Sequence, residues 1–152
     1  MRILLAIDDS EFSEAATRAV IRQFRTGETE LHVLHVLERG RGLPSSFSFA
    51  RGNTYGSQFL SLSQKARAKA AELVERVATS LRDNGFQVST AVMEGEPRLA
   101  ILRCAREWEP DLIVLGSHNR RGLDRFLMGS VSEAVARQAA CSVEIVRCSA
   151  AS

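Results

Sequence analysis

The sequence has 152 residues, 45% of them hydrophobic and 25% charged. That is enough chain for one domain with its own core, and the composition is ordinary for a globular protein. Its 20 basic and 18 acidic side chains leave a formal net charge of +2, too balanced to imply a nucleic-acid or polybasic membrane partner. No apolar run reaches the length of a bilayer span. The start, MRILLAIDDS, lacks a signal peptide's long apolar segment and reads as a strand, so a cytoplasmic protein is expected. Cys104, Cys141 and Cys148 are odd in number and have no metal-type spacing, which suits reduced thiols.

In chain order, the first strand is expected over Arg2–Ile7. Its apolar run, Ile3 to Ile7, suits a central parallel strand covered on both faces. Asp9 or Ser10 can cap the next helix, with Glu11 and Glu14 in its first turn. That helix is expected to reach about Arg25 and to end at Gly27, with Phe12, Ala16, Ala19, Val20 and Phe24 facing inward. The second strand is Leu31–Leu37. His32 and His35 point to opposite faces of it, so they cannot share a metal from that strand and read as structural histidines. Residues 39–62, rich in Gly, Ser and Arg with Phe47, Phe49 and Tyr55 interspersed, read as a flexible insertion or a flap over a ligand site.

The longest helix is expected from about Ser61 to Asn84. Leu62, Ala66, Ala70, Leu73, Val77 and Leu81 mark its buried stripe, opposite a charged face from Lys65 to Arg76. The third strand, Phe86–Val92, alternates apolar and polar residues and suits a position toward the sheet edge. Pro97 fits the first turn of the third helix, whose inner face carries Ile101, Cys104, Ala105 and Trp108. The fourth strand, Leu112–Leu115, ends in Gly116.

A loop rich in glycine and arginine, Ser117–Met128, leads to Gly129-Ser130 and the fourth helix, which runs to about Ala140 with Val131, Val135 and Ala139 inward. A helix start leaves backbone N–H groups without partners, and glycines let a phosphate approach closely. The competing reading is a long surface connection with solvated arginines. Ser130-x-x-Glu133 has the spacing of a capping box, and Glu133 there would weaken attraction for a phosphate. The last strand, Val143–Arg147, belongs at a sheet edge open to another chain. The alternation of strands and helices specifies an α/β fold with a parallel sheet covered on both faces.

Asp8 follows the first strand, at the end where open α/β sheets bind ligands. It can accept hydrogen bonds from a ribose or an adenine amine, or simply cap the turn. The sequence has no Gly-x-x-x-x-Gly-Lys-Ser/Thr loop and no Gly-x-Ser-x-Gly elbow. His118 is the one acid–base candidate in the loop, and no nucleophile–base pair stands out. A non-catalytic protein is expected from these residues.

Gly116, Ser117-His118, Asn119, nine residues and Gly129-Ser130 follow a frame found in the universal stress protein family, with Asn119 in place of that family's second glycine. MRILLAIDDSEFS, LHVLHVLE, IVLGSH, LMGSVSE and CSVEIVR add to the likeness. The chain thus resembles that family over nearly its whole length, least in residues 39–62. The resemblance implies a single Rossmann-like domain over residues 1–152, with five parallel strands in the order 3-2-1-4-5. Asp8 and the loop from Gly116 to Ser130 would then face one crevice. It also implies ATP as ligand, with or without Mg2+. Ala6, Asp8 and Val36 would line the adenine and ribose end, and Leu115 and Gly116 would begin the pocket floor. Gly129, Ser130 and Val131 would bind phosphates through backbone N–H groups and the serine hydroxyl. Asn119 tolerates left-handed backbone, so the loop can keep its path past the phosphates. A stress-response homodimer pairing through Val143–Arg147 is implied as well. The alternative is a dimeric interaction protein that binds no nucleotide and works through its last strand and residues 39–62.

Overall fold

The computed structural model describes residues 1–38, 53–117 and 129–148. Five strands form one parallel sheet: β1 (Arg2–Ile7), β2 (Glu30–Leu37), β3 (Gln87–Glu94), β4 (Leu112–Ser117) and β5 (Ser142–Arg147). Their order is β3-β2-β1-β4-β5, so the fold expected from the resemblance is the one observed. Helices α1 (Glu11–Gln23) and α2 (Asn53–Asp83) cover one face, and α3 (Pro97–Trp108) and α4 (Ser130–Gln138) the other.

The strand sequences explain this layering. Alternate residues of β1 point to opposite faces. Ile3, Leu5 and Ile7 enter a core with Ala16 and Val20 of α1 and Leu73, Val74 and Leu81 of α2. Leu4 and Ala6 enter a second core with Ile101 and Cys104 of α3 and Val135 of α4. β1 pairs with β2 and β4, aligning Ala6 with Leu34 on one side and Leu115 on the other. The strand order reverses between β1 and β4, and their carboxyl ends bound a crevice there.

Several boundaries differ from the sequence reading. α1 stops at Gln23 with Phe24 as its cap, and Gly27 lies within a short 3-10 turn, Thr26–Glu28. Phe24 is the cause, because it leaves the helix in extended geometry (φ −112°, ψ 151°) and packs against the first core. α2 begins at Asn53, so residues 53–62 of the expected insertion are helical, while 39–52 lie outside the described residues. At 31 residues α2 is about 46 Å long, against about 26 Å for an eight-residue strand. Its C-terminus is tied closely to β3 through Asn84 and Gly85, so the extra length stands beyond the carboxyl edge of the sheet. From Ser63 on, where side chains are described, the first buried residue of the stripe is Ala70, and Ala66 is exposed because no sheet lies beneath it, while the Leu62 side chain lies outside the described residues. β3 occupies an edge as expected, although Ala91 and Met93 pack on the second core and Val88 on the first.

Candidate functional site

The crevice starts from the strand ends. Ala6 and Leu115, paired across β1 and β4, are 7% and 4% exposed, and their side chains belong to the second core. Only their backbone and the small face of Ala6 remain for a ligand. Val36, near the end of β2, and Val131, in the first turn of α4, are half-buried against the same core. Val131 therefore packs the start of α4 against the core that holds Ala6 and Leu115. Four of the expected residues thus share one layer.

Gly116 faces the other layer. A Cβ there would stand 2.5 Å from the backbone carbon and oxygen of Phe12 and 2.9 Å from its Cβ. The first turn of α1 rests on β4 at that point, so Gly116 is required by packing whether or not a ligand binds. Ser117, the next residue, is buried at 3% exposure.

Asp8 is exposed at the mouth of the crevice. Its carboxylate is nevertheless held. Ser13 donates to Asp8 Oδ1 at 2.7 Å, and Ser10 donates to the same oxygen. The Asp8 backbone N–H in turn donates to Ser13 Oγ at 2.8 Å. Ser10 rather than Asp9 caps α1, accepting from the Ser13 N–H at 3.3 Å. Asp9 instead accepts from Arg76 of α2 at 3.4 Å. The sequence reading of this corner included Ser10 as a possible cap but missed Ser13. The signal available was a hydroxyl five residues after an aspartate, across a strand-to-helix corner.

α4 starts differently from expectation. Gly129 is its N-cap, in extended geometry (φ −60°, ψ 152°), and no side chain caps it. Ser130 is the first helical residue and is exposed, so the expected capping box does not form. Glu133 instead bonds Arg137 one turn on, at 2.9 and 3.1 Å, which offsets its charge near the helix start. Among the described residues, a Cβ on Gly129 would meet nothing nearer than Ser132 Oγ at 4.0 Å, and its φ is negative. Neither packing among the described residues nor backbone strain calls for glycine there. What glycine does leave is an open approach to the N–H groups of the first turn. His118, Asn119, Arg120, Arg121 and Arg125 lie outside the described residues.

The two strand histidines are structural, as the sequence indicated. His35 Nδ1 donates to the Ile7 carbonyl at 2.8 Å, at the end of β1. His32 Nδ1 lies 2.7 Å from Ser89 Oγ, and its ring stacks on Trp108 at the far end of the sheet. Among the described residues no group of three His, Cys, Asp or Glu side chains is placed to hold a metal ion. No helix among them is long and apolar enough to cross a membrane.

Comparison with known proteins agrees with this architecture. The sequence model of the Universal stress protein family matches residues 1–147. Universal stress protein YxiE of Bacillus subtilis is 31% identical over 148 residues, covering 96% of this chain and 98% of that one. Universal stress protein MJ0577 of Methanocaldococcus jannaschii is 31% identical over 153 residues, covering 96% of this chain and 94% of its own. The solved structure of MJ0577 covers 99% of this chain and 97% of its own at a TM-score of 0.77 and 26% identity. A universal stress protein family protein from Arabidopsis thaliana, solved with AMP bound, shares the fold at a TM-score of 0.70 and 19% identity, covering 99% of this chain and 93% of its own. With the family's sheet order and a match along nearly its whole length, this chain belongs to the universal stress protein family.

Proposed function

We propose that this protein is a nucleotide-binding regulatory module, with ATP as its ligand and a homodimer as its working form. The observation that carries this reading is the start of α4. Its N-cap is a glycine with no capping side chain, its first turn packs through Val131 on the core that holds Ala6 and Leu115, and among the described residues Gly129 leaves room for a phosphate. Asp8 stands across the same crevice as an acceptor for ribose or base. The AMP bound to the Arabidopsis relative supports a nucleotide as the class of ligand. Ala6, Val36, Leu115 and Gly116 form the floor, and Gly129, Ser130 and Val131 take the phosphates through N–H groups. Any Mg2+ would arrive with the phosphates, with Asp8 as the carboxylate placed to meet it. Among the described residues the site offers binding groups and no nucleophile–base pair, so the module senses or carries nucleotide, and hydrolysis is at most slow.

Asn119 is where the sequence departs from the family frame, so it belongs in the test. Protein purified without added nucleotide is denatured and its supernatant analysed by mass spectrometry. ATP is then titrated against the wild type and Asn119→Gly. Co-purified or saturable ATP in the wild type is the expected result. Binding only by Asn119→Gly would mean that this chain has lost the ligand through that residue. Binding by neither overturns the nucleotide reading and leaves the dimeric interaction protein.

A further inference from the structure

We infer that Ser13, assisted by Ser10, is a positioning residue for the nucleotide and acts by fixing the Asp8 carboxylate before the ligand arrives. The inference rests on the nucleotide reading above. An aspartate exposed just beyond a strand end would ordinarily sample several rotamers, and a ligand would have to immobilise it. The directions of its hydrogen bonds to Ser13 and Ser10 are determined. A carboxylate only accepts, so the Ser13 and Ser10 hydroxyl protons both go to Asp8 Oδ1. Ser13 Oγ then accepts from the Asp8 N–H at 2.8 Å, and Ser10 Oγ accepts from the Ser13 N–H at 3.3 Å.

The result is a network in which the backbone and carboxylate of Asp8 are both tied to the first turn of α1. Ser13 is 6% exposed, so water competes little for its hydroxyl. Thr17 secures the same turn from below by donating to the Ser13 carbonyl at 2.8 Å. Hydrogen bonds to an ionised acceptor are stronger than neutral ones, which favours this arrangement over a solvated carboxylate. A cap for α1 needs only Ser10. The Ser13 hydroxyl adds a fixed orientation for the Asp8 carboxylate at the end of β1.

The experiment is a double-mutant cycle on ATP binding, measured by calorimetry in wild type, Ser13→Ala, Asp8→Ala and the double variant. Amide hydrogen exchange at Asp8 is followed in the same proteins without ligand. Ser13→Ala should weaken ATP binding about three- to tenfold in the wild type and less than about twofold in the Asp8→Ala background. The Asp8 amide should exchange faster once its acceptor is gone. Ser10→Ala, at a half-buried position, removes only a carboxylate bond from Asp8, so it should give the same pattern of ATP affinities with the Asp8 amide still protected by Ser13 Oγ, and it serves if Ser13→Ala does not fold. An equal loss in both backgrounds, no loss at all, or an unchanged Asp8 amide in Ser13→Ala would overturn the inference while leaving the nucleotide reading intact. A wild type that binds no ATP would overturn both.

Discussion

Arg2 lies over the Trp108 ring, 4.3 Å from its centroid, and the His32 ring stacks on the same indole at 5.1 Å. Glu30 is 3.8 Å from Arg2, while the Arg2 N–H donates to Asp111 at 2.7 Å. Ser89 Oγ can donate to the Leu31 carbonyl, which leaves it to accept from His32 Nδ1. Burial, the largest cause, lowers the His32 pKa from its usual 6.5; Glu30 opposes this and Arg2 adds to it. The unfolded chain therefore binds the proton more readily than the folded one. Stability from this group is present above 6.5 and is lost as pH falls through that value. Urea midpoints should drop between about pH 7.5 and about pH 5.5, and drop less in His32→Gln. Equal losses in the two proteins would show that His32 does not carry the effect. The strand pattern placed His32 and His35 on opposite faces. It did not show Trp108 as the partner of His32, because Trp108 arrives on α3 from far along the chain.

At the scale of elements, α4 shows a start left uncapped. Asp, Asn and Ser are the favoured N-cap residues, and an aspartate also complements the helix dipole. Gly129→Asp should therefore stabilise the protein by about 0.5–1 kcal/mol in urea unfolding. The same carboxylate would occupy the approach to the first-turn N–H groups and repel a phosphate, so ATP affinity should fall more than about tenfold. Unchanged affinity in calorimetry would remove the start of α4 from the site. The existence, type and order of the elements were legible from periodicity and from Gly and Pro breakers. Their ends were less so. Ser130-x-x-Glu133 matches a capping box in sequence, yet the helix begins one residue earlier than a Ser130 cap requires. Ala66 was read into the buried stripe of α2 because nothing local tells a helix where its sheet ends.

For the whole molecule, β3 and β5 are the sheet edges. Along β5, Val143 and Val146 pack on the two cores, and Glu144 accepts from Gln23 of α1 at 2.9 Å. Ile145 is half-buried and belongs to neither core cluster. It is thus the apolar residue of β5 best placed to serve a partner strand in the proposed homodimer. Light scattering should give a mass of two chains for the wild type and one for Ile145→Asp, with the helical circular dichroism retained. A variant that remains paired would move the interface elsewhere.

The sequence by itself determined the five strands, the four helices between them and the doubly wound plan. Apolar runs, helical spacing and breakers act between near neighbours, and a run of strand–helix units has few right-handed ways to pack. It also marked Asp8 and the Gly129-Ser130 helix start as the residues to examine. Only the tertiary structure decided what several of these residues are for. Gly116 is a glycine because the Phe12 backbone rests on it. Ala66 is exposed because α2 outruns the sheet, and Ser13 serves Asp8 because a corner turns its hydroxyl back toward β1. Each depends on the path the chain takes between two contacting groups, and residue spacing alone does not encode that path.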